Sequence, residues 1–131
     1  MAKHLAIFTK DLLEDIFEGK KKIDGRFSKI KIPPFGKVSA GDVVLMKLSG
    51  EGIKGQFVVD RVFYFDHPNK DEIDDLKKKY SKEMNLISTS SFWYAHENIN
   101  YITLIFIKSV NKFLVPPEVK KKDLRSWVVL E

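Results

Sequence analysis

The segment at 101–107, YITLIFI, is apolar at almost every position. A strand with one solvated face alternates polar and apolar residues, so this continuous run predicts a strand that is buried on both faces. Such a strand requires a sheet that is covered on both sides. The chain has the material for one, since 44% of its 131 residues are hydrophobic and a chain of this length buries about two-thirds of its unfolded surface.

The remaining patterns predict a small α+β domain. A strand at 5–8 leads through an N-cap at Thr9 into a helix that ends at Gly19, and a second helix spans 69–84. Further strands are expected from Lys22, at 43–48, at 55–65 and at 127–130, with a hairpin turn at 49–52. This order predicts a small curved sheet or β-barrel with helices at one side. No repeat or linker divides the sequence, so we expect one domain over 1–131.

Several function classes are excluded or disfavoured by composition. Cysteine is absent, which excludes disulfides, thiolate metal sites and cysteine nucleophiles. His4, His67 and His96 have no metal-binding spacing, and no phosphate loop, nucleophile elbow or dinucleotide fingerprint occurs, so we expect neither a metal nor a cofactor. With no apolar run of membrane-spanning length and no signal sequence, we expect a cytoplasmic protein without a membrane partner.

The most informative segment is GKKKIDGR at 19–26, where four cations and one carboxylate join the end of a helix to a strand. The planar guanidinium of Arg26 is suited to bind a phosphate or a base edge through two hydrogen bonds, whereas lysines act as point charges. Asp24 shares a strand face with Lys22, Arg26 and Ser28, so it could orient Arg26, accept a base amino group or act as a general base. The alternative is a solvated ion-pair ladder, worth less than roughly 1 kcal/mol per pair.

This segment, with the Gly41-Asp42 turn into a strand, resembles the ASCH domain of the PUA-like superfamily. The likeness extends more weakly to Phe92-Trp93 and the strand at 101–107. The family motif is roughly Gly-x-Lys-x-x-Glu-x-Arg; Gly19, Lys21 and Arg26 match it, and Asp24 takes the glutamate position.

The resemblance implies a five- or six-stranded PUA-like barrel with a cleft beside the first helix, and it implies RNA binding. Some members resemble hydrolases, either amidohydrolases that act on acetylated cytidine or ribonucleases. In the amidohydrolase type a lysine and a threonine of the motif are implicated, and Asp24 stands at the threonine position here.

Two further segments are candidate contacts for a nucleic acid. Trp93 and Tyr94 follow a polar run at 88–91 that predicts a capped helix or turn, and stacking one base on a ring is worth about 1–3 kcal/mol. The alternative is that Phe92 and Trp93 cover the end of the barrel. The lysines at 120–122 either extend a phosphate-binding surface or keep the C-terminal turn soluble. Lys29 and Lys31 continue the strand after Arg26 on the side of Phe27 by parity, unless a bulge intervenes.

Three functional hypotheses follow. The first is an RNA-binding module that uses a basic cleft between the first helix and the barrel. Its contact residues would be Lys20, Lys21, Lys22, Asp24, Arg26, Ser28, Trp93 and Tyr94. The second is a small hydrolase of modified nucleosides or RNA in the same cleft, with Lys21 and Asp24 as proton-transfer groups. The third is an interaction module whose basic face binds an acidic protein.

Overall fold

The computed structural model describes residues 2–84, 98–117 and 125–130. Within these ranges, six strands and two helices follow one another: β1 (Lys3–Phe8), α1 (Lys10–Phe17), β2 (Ile23–Ser28), β3 (Val43–Leu48), β4 (Ile53–Asp66), α2 (Lys70–Tyr80), β5 (Tyr101–Lys112) and β6 (Trp127–Val129). The strands form one sheet in the order β2-β5-β4-β3-β1-β6, in which only the β1–β3 pair is parallel. The predicted α+β class is confirmed.

The sheet is curled into a half-barrel, and its two edges are β2 and β6. The curling brings these edges close together, because Arg26 on β2 contacts β1 and also contacts Trp127 on β6. The large right-handed twist of strands, increased by register shifts in the β3–β4 and β4–β5 pairs, provides this curvature.

Side chains of β5 separate the core into two main clusters. Ile105 faces the inside of the curled sheet with Phe8, Phe57 and Trp127, whereas Leu104 faces the outside. Helix α1 packs into the inner cluster through Leu13 and Ile16, and α2 packs into the outer cluster through Leu76. The helices therefore lie on opposite faces of the sheet, and the expectation that both lie at one side is wrong.

Most element boundaries lie within two residues of the sequence prediction, and three differences have a structural reason. Strand β5 continues five residues beyond Ile107, because its polar half still pairs with β4 as far as Lys112 opposite Gly55. Helix α2 ends at Tyr80, and residues 81–84 form a turn whose Met84 side chain is nonetheless buried. Strand β2 begins at Ile23, one residue later than the alternation indicates.

Candidate nucleic-acid interface

The three consecutive lysines that follow α1 have different environments. Gly19 closes the helix with a φ of 77°, a left-handed conformation that glycine adopts at little cost. Lys20 is exposed and forms an ion pair with Glu18 at 2.9 Å; the hydrogen bond to that carboxylate raises the pKa of Lys20. Lys22 is also exposed, immediately before β2, whereas Lys21 is buried. Lys20 and Lys22 are therefore the members of this run that can reach phosphates in solvent.

Lys21 lies in the interior with only 5% of its surface exposed. Its Nζ donates a hydrogen bond of 2.8 Å to the carbonyl oxygen of Met84, and no second hydrogen bond to Nζ is formed within the described part of the chain. Burial lowers the pKa of Lys21, while the nearby Asp24 carboxylate acts in the opposite direction. The ammonium therefore releases its proton more readily than a solvated lysine does.

Asp24 and Arg26 form an ion pair on the inner face of β2. The Arg26 Nε donates to Asp24 Oδ2 at 2.8 Å, and the side chains are 16% and 5% exposed respectively. The alternation along β2 explains why the two side chains share a face. Because this face turns into the half-barrel rather than toward water, the pair is not the solvated ladder considered above.

Arg26 also connects the two edges of the sheet. Its Nη2 donates to the carbonyl oxygen of Ile7 on β1 at 3.4 Å, and its Cζ lies 4.9 Å from the ring centroid of Phe8 and 5.2 Å from that of Trp127 on β6. Guanidinium groups are attracted to aromatic faces at such distances. Four groups thus hold the guanidinium across the open side of the half-barrel: the Asp24 carboxylate, the Ile7 carbonyl and the rings of Phe8 and Trp127.

A recess of about 60 Å³ opens beside the Arg26 guanidinium. Its walls come from β2, β5, the segment after β2 and the residue before β6, and its lining residues are Arg26, Phe27, Ser28, Ile32, Pro33, Pro34, Phe35, Thr103 and Ser126. This volume holds about four water-sized groups and is well below the roughly 300–1,000 Å³ of drug-sized ligand pockets. It therefore suits a phosphate group or one edge of a base, and Lys21 and Asp24 are not among its lining residues.

A second buried polar network lies behind Trp127, and the sequence pattern did not reveal it. His4 is fully buried, and its Nε2 lies 2.9 Å from Asp42 Oδ2, while the Trp127 Nε1 donates to His4 Nδ1 at 3.1 Å. Because an indole N–H only donates, Nδ1 must accept, and the imidazole proton is therefore on Nε2 and is donated to Asp42. Burial raises the pKa of Asp42, but hydrogen bonds from His4 and from the backbone amides of Ser39 and Ala2 outweigh it, so the net shift is downward.

The positive charge of the chain is concentrated in the sequence segment that supplies most of the recess lining. Residues 20–41 carry seven cations and one carboxylate, a net charge of +6, although the whole chain carries only +5. Five of the seven cations are exposed lysines: Lys20, Lys22, Lys29, Lys31 and Lys37. Parity along β2 does not apply to Lys29 and Lys31, because the strand ends at Ser28, where the Ser28 Oγ donates to the carbonyl of Ile30.

Several other sequence predictions concern residues outside the described ranges. Trp93, Tyr94 and the lysines at 120–122 fall there. Among residues 2–84, 98–117 and 125–130, no group of three or more histidine, aspartate or glutamate side chains is arranged to hold a metal ion. Neither helix in these ranges has the length and hydropathy needed to cross a bilayer.

Comparison with solved structures identifies similar folds. The structure is similar to that of a mutant of the ASCH protein from Zymomonas mobilis, with a TM-score of 0.74 and 14% sequence identity over 98% of this chain and 90% of the other. A structure of the same protein without a named mutation gives a TM-score of 0.68 at 13% identity over 98% and 87% of the two chains. The hypothetical protein PH0355 gives a TM-score of 0.55 at 17% identity over 79% and 95%.

Comparison by sequence gives a different result: no protein-family model and no curated protein matches this chain. The structural likeness extends over nearly the whole chain, and at such low identity it concerns the fold. The chain therefore has the ASCH-domain fold, of the PUA-like α+β type, which confirms the fold that the 19–26 motif implied.

Proposed function

We propose that this chain, which has the ASCH-domain fold, binds RNA along the open side of its half-barrel. The observation that carries the proposal is the net charge of +6 within residues 20–41, a segment that exposes five lysines and supplies most of the lining of the recess. Contacts between cations and phosphates supply most of the non-specific affinity for a nucleic acid. The ASCH resemblance favours RNA over DNA.

The buried and exposed cations have different roles in this proposal. Lys20 and Lys22 contact phosphates from solvent, where they move freely and confer little specificity. Asp24 and Ile7 each accept from one of the five N–H donors of Arg26, so three donors remain for a ligand. The same two contacts fix the orientation in which the guanidinium meets that ligand. The recess beside it accepts a phosphate or the edge of one base. Trp93 and Tyr94 remain predicted stacking residues.

Titration of fluorescently labelled single-stranded RNA at several salt concentrations tests the proposal. If four or five lysines each neutralise a phosphate, the logarithm of the association constant falls with the logarithm of salt concentration with a slope of about −3, at roughly −0.7 per contact. Lys22→Ala should weaken binding and reduce this slope. The control is Lys77→Ala on α2, which lies on the other face of the sheet; this lysine has a 41% exposed side chain that pairs with Asp74. Binding that ignores salt, or equal effects of the two variants, would refute the proposal.

A hydrolase is the second candidate, and the burial of Lys21 is the observation that favours it. A lysine accepts a proton from an attacking water only as the neutral amine, and burial increases that fraction by lowering the pKa. Asp24 is held nearby by Arg26. The recess reaches neither group, which is why we place binding first.

Product analysis separates the two candidates. The protein is incubated with acetylated cytidine and with short RNAs, and the Lys21→Met variant serves as the comparison because it keeps the apolar stem that fills the interior. Turnover by the parent that this variant loses would support the hydrolase. Equal background in both would discard it and leave RNA binding unaffected.

A further inference from the structure

The loop that follows β2 exposes an unusual alternation of cations and apolar side chains. Residues 29–32, Lys-Ile-Lys-Ile, are all exposed, with Ile30 at 65% and Ile32 at 43%. No acidic residue occurs between Asp24 and Asp42 to neutralise the lysines. Contact with a partner would remove the apolar surface of these two side chains from water, which favours binding. We name residues 29–32 the basic–apolar strip.

The strip is adjacent to the Arg26 recess. Ile32 belongs to both, and the wall of the recess continues from it through Pro33 and Pro34 to Phe35. A ligand that places one group beside Arg26 and leaves the recess past Ile32 therefore meets the exposed strip next. The strip carries two exposed lysines and the recess presents the remaining N–H donors of Arg26, so a polyanion is the complementary partner.

The loop is held against the sheet at both of its ends. At the far end, the Tyr64 hydroxyl accepts from the backbone N–H of Val38 at 2.7 Å and donates to its carbonyl at 2.6 Å, and the Phe35 ring packs edge-on against Tyr64. At the near end, the Asn100 amide donates to the carbonyl of Lys29 at 2.8 Å. Since these contacts fix the backbone, little ordering entropy is lost when a ligand binds.

We propose that the basic–apolar strip binds the nucleotides of a single-stranded RNA that flank the group held at Arg26. This inference rests on the proposed RNA-binding function and extends it to a strand class. Base faces contact aliphatic side chains only where the bases are unpaired, because a duplex stacks them against each other. The lysines of the strip then contact the phosphates while the isoleucines lie against the bases. A duplex would use the lysines and leave the isoleucines in water.

The test compares single-stranded oligouridylate with a blunt-ended RNA duplex of equal length by fluorescence anisotropy. Ile30→Ser is the principal variant; its side chain is largely exposed, so the fold should tolerate the change. Leu114→Ser is the matched control, since Leu114 is 99% exposed on another loop. Lys31→Ala measures the cationic part of the strip.

Two results are expected. Ile30→Ser weakens single-strand binding by about threefold or more without changing the salt slope, and the control leaves it unchanged. Lys31→Ala lowers the magnitude of the salt slope by about 0.7, and neither Ile30→Ser nor Leu114→Ser affects the duplex complex.

The contrary outcomes distinguish the strip from the function it rests on. A parent protein that binds neither RNA overturns both proposals. A parent that binds single strands, with Ile30→Ser no weaker than Leu114→Ser, overturns the role of the strip and leaves the proposed function intact. If Ile30→Ser instead weakens attachment only to vesicles of anionic phospholipid, the strip is a membrane contact and the inference is wrong.

Discussion

The Asp24–Arg26 pair provides a quantitative test of how the half-barrel is held. Asp24→Ala removes the carboxylate and leaves the guanidinium uncompensated in an interior that also contains the buried Lys21. Breaking a buried pair in this way typically costs about 3–5 kcal/mol, and the 16% exposure of the Arg26 side chain places the expected loss near the lower value. Arg26→Met should destabilise by a similar amount, because it strands the carboxylate and breaks the bond to Ile7.

The double variant should lose less unfolding free energy than the sum of the losses of the two single variants, since neither charge is then left unpaired. We expect a coupling free energy of about 2 kcal/mol between the two positions, measured by urea unfolding at neutral pH. Each single variant should also melt roughly 10–20 °C lower. Glu51→Ala, which breaks the exposed pair with Lys54, is the control and should cost less than about 1 kcal/mol. Additive effects, or single losses as small as the control's, would show that the pair does not hold the two edges together.

Three further predictions concern other parts of the interior. Lys21→Met should change the pH dependence of stability. Burial places the pKa of Lys21 in the folded protein below its ordinary value of 10.5, so in the pH interval between the folded pKa and 10.5 the unfolded chain binds more protons than the folded protein does. The parent should therefore gain stability relative to the variant as pH rises through that interval, as measured by unfolding at successive pH values, and a parallel dependence would contradict the burial of the ammonium. Trp127→Phe removes the donor to His4 Nδ1 and should lower the free energy of unfolding in urea by about 1–3 kcal/mol. An unchanged urea midpoint would show that this hydrogen bond is dispensable. Gly55→Ala places a methyl group against the backbone carbonyl oxygen of Asn111 and 2.7 Å from the Phe17 ring, and should cost roughly 1–3 kcal/mol. A stability equal to the parent's would count against this close packing of β4 with β5 and α1.

The fold could be predicted largely because its elements have strong local patterns. The strand at 43–48 has the predicted bounds, and the N-cap Asn69 forms the capping box that starts α2. The polar half of β5 was missed because residues 108–112 are exposed, and exposed strand residues carry no apolar signal. Pairing with β4 extends this strand, and that pairing depends on residues far away in the sequence.

The site was harder to predict because alternation shows which residues share a face but not which way the face turns. Asp24 and Arg26 were grouped correctly on β2, yet the curl of the sheet turns them inward, toward Trp127 at the other end of the chain. The same curl places His4 beside Asp42. A histidine on the first strand and an aspartate at a turn were each visible in the sequence, but no local spacing joins residues separated by 38 positions.

Arg26 has a constrained part in any RNA complex. Asp24 neutralises most of its charge, and bonds to the protein already use two of its five donors. Its contribution to phosphate attraction is therefore small, whereas its fixed orientation favours the selection of a particular group in the recess. It follows that the salt dependence of binding should come from the exposed lysines at 20–37, and that Arg26→Lys should change the preference among RNA sequences more than the salt slope. A slope that falls as much for Arg26→Lys as for Lys22→Ala would reverse this division of roles.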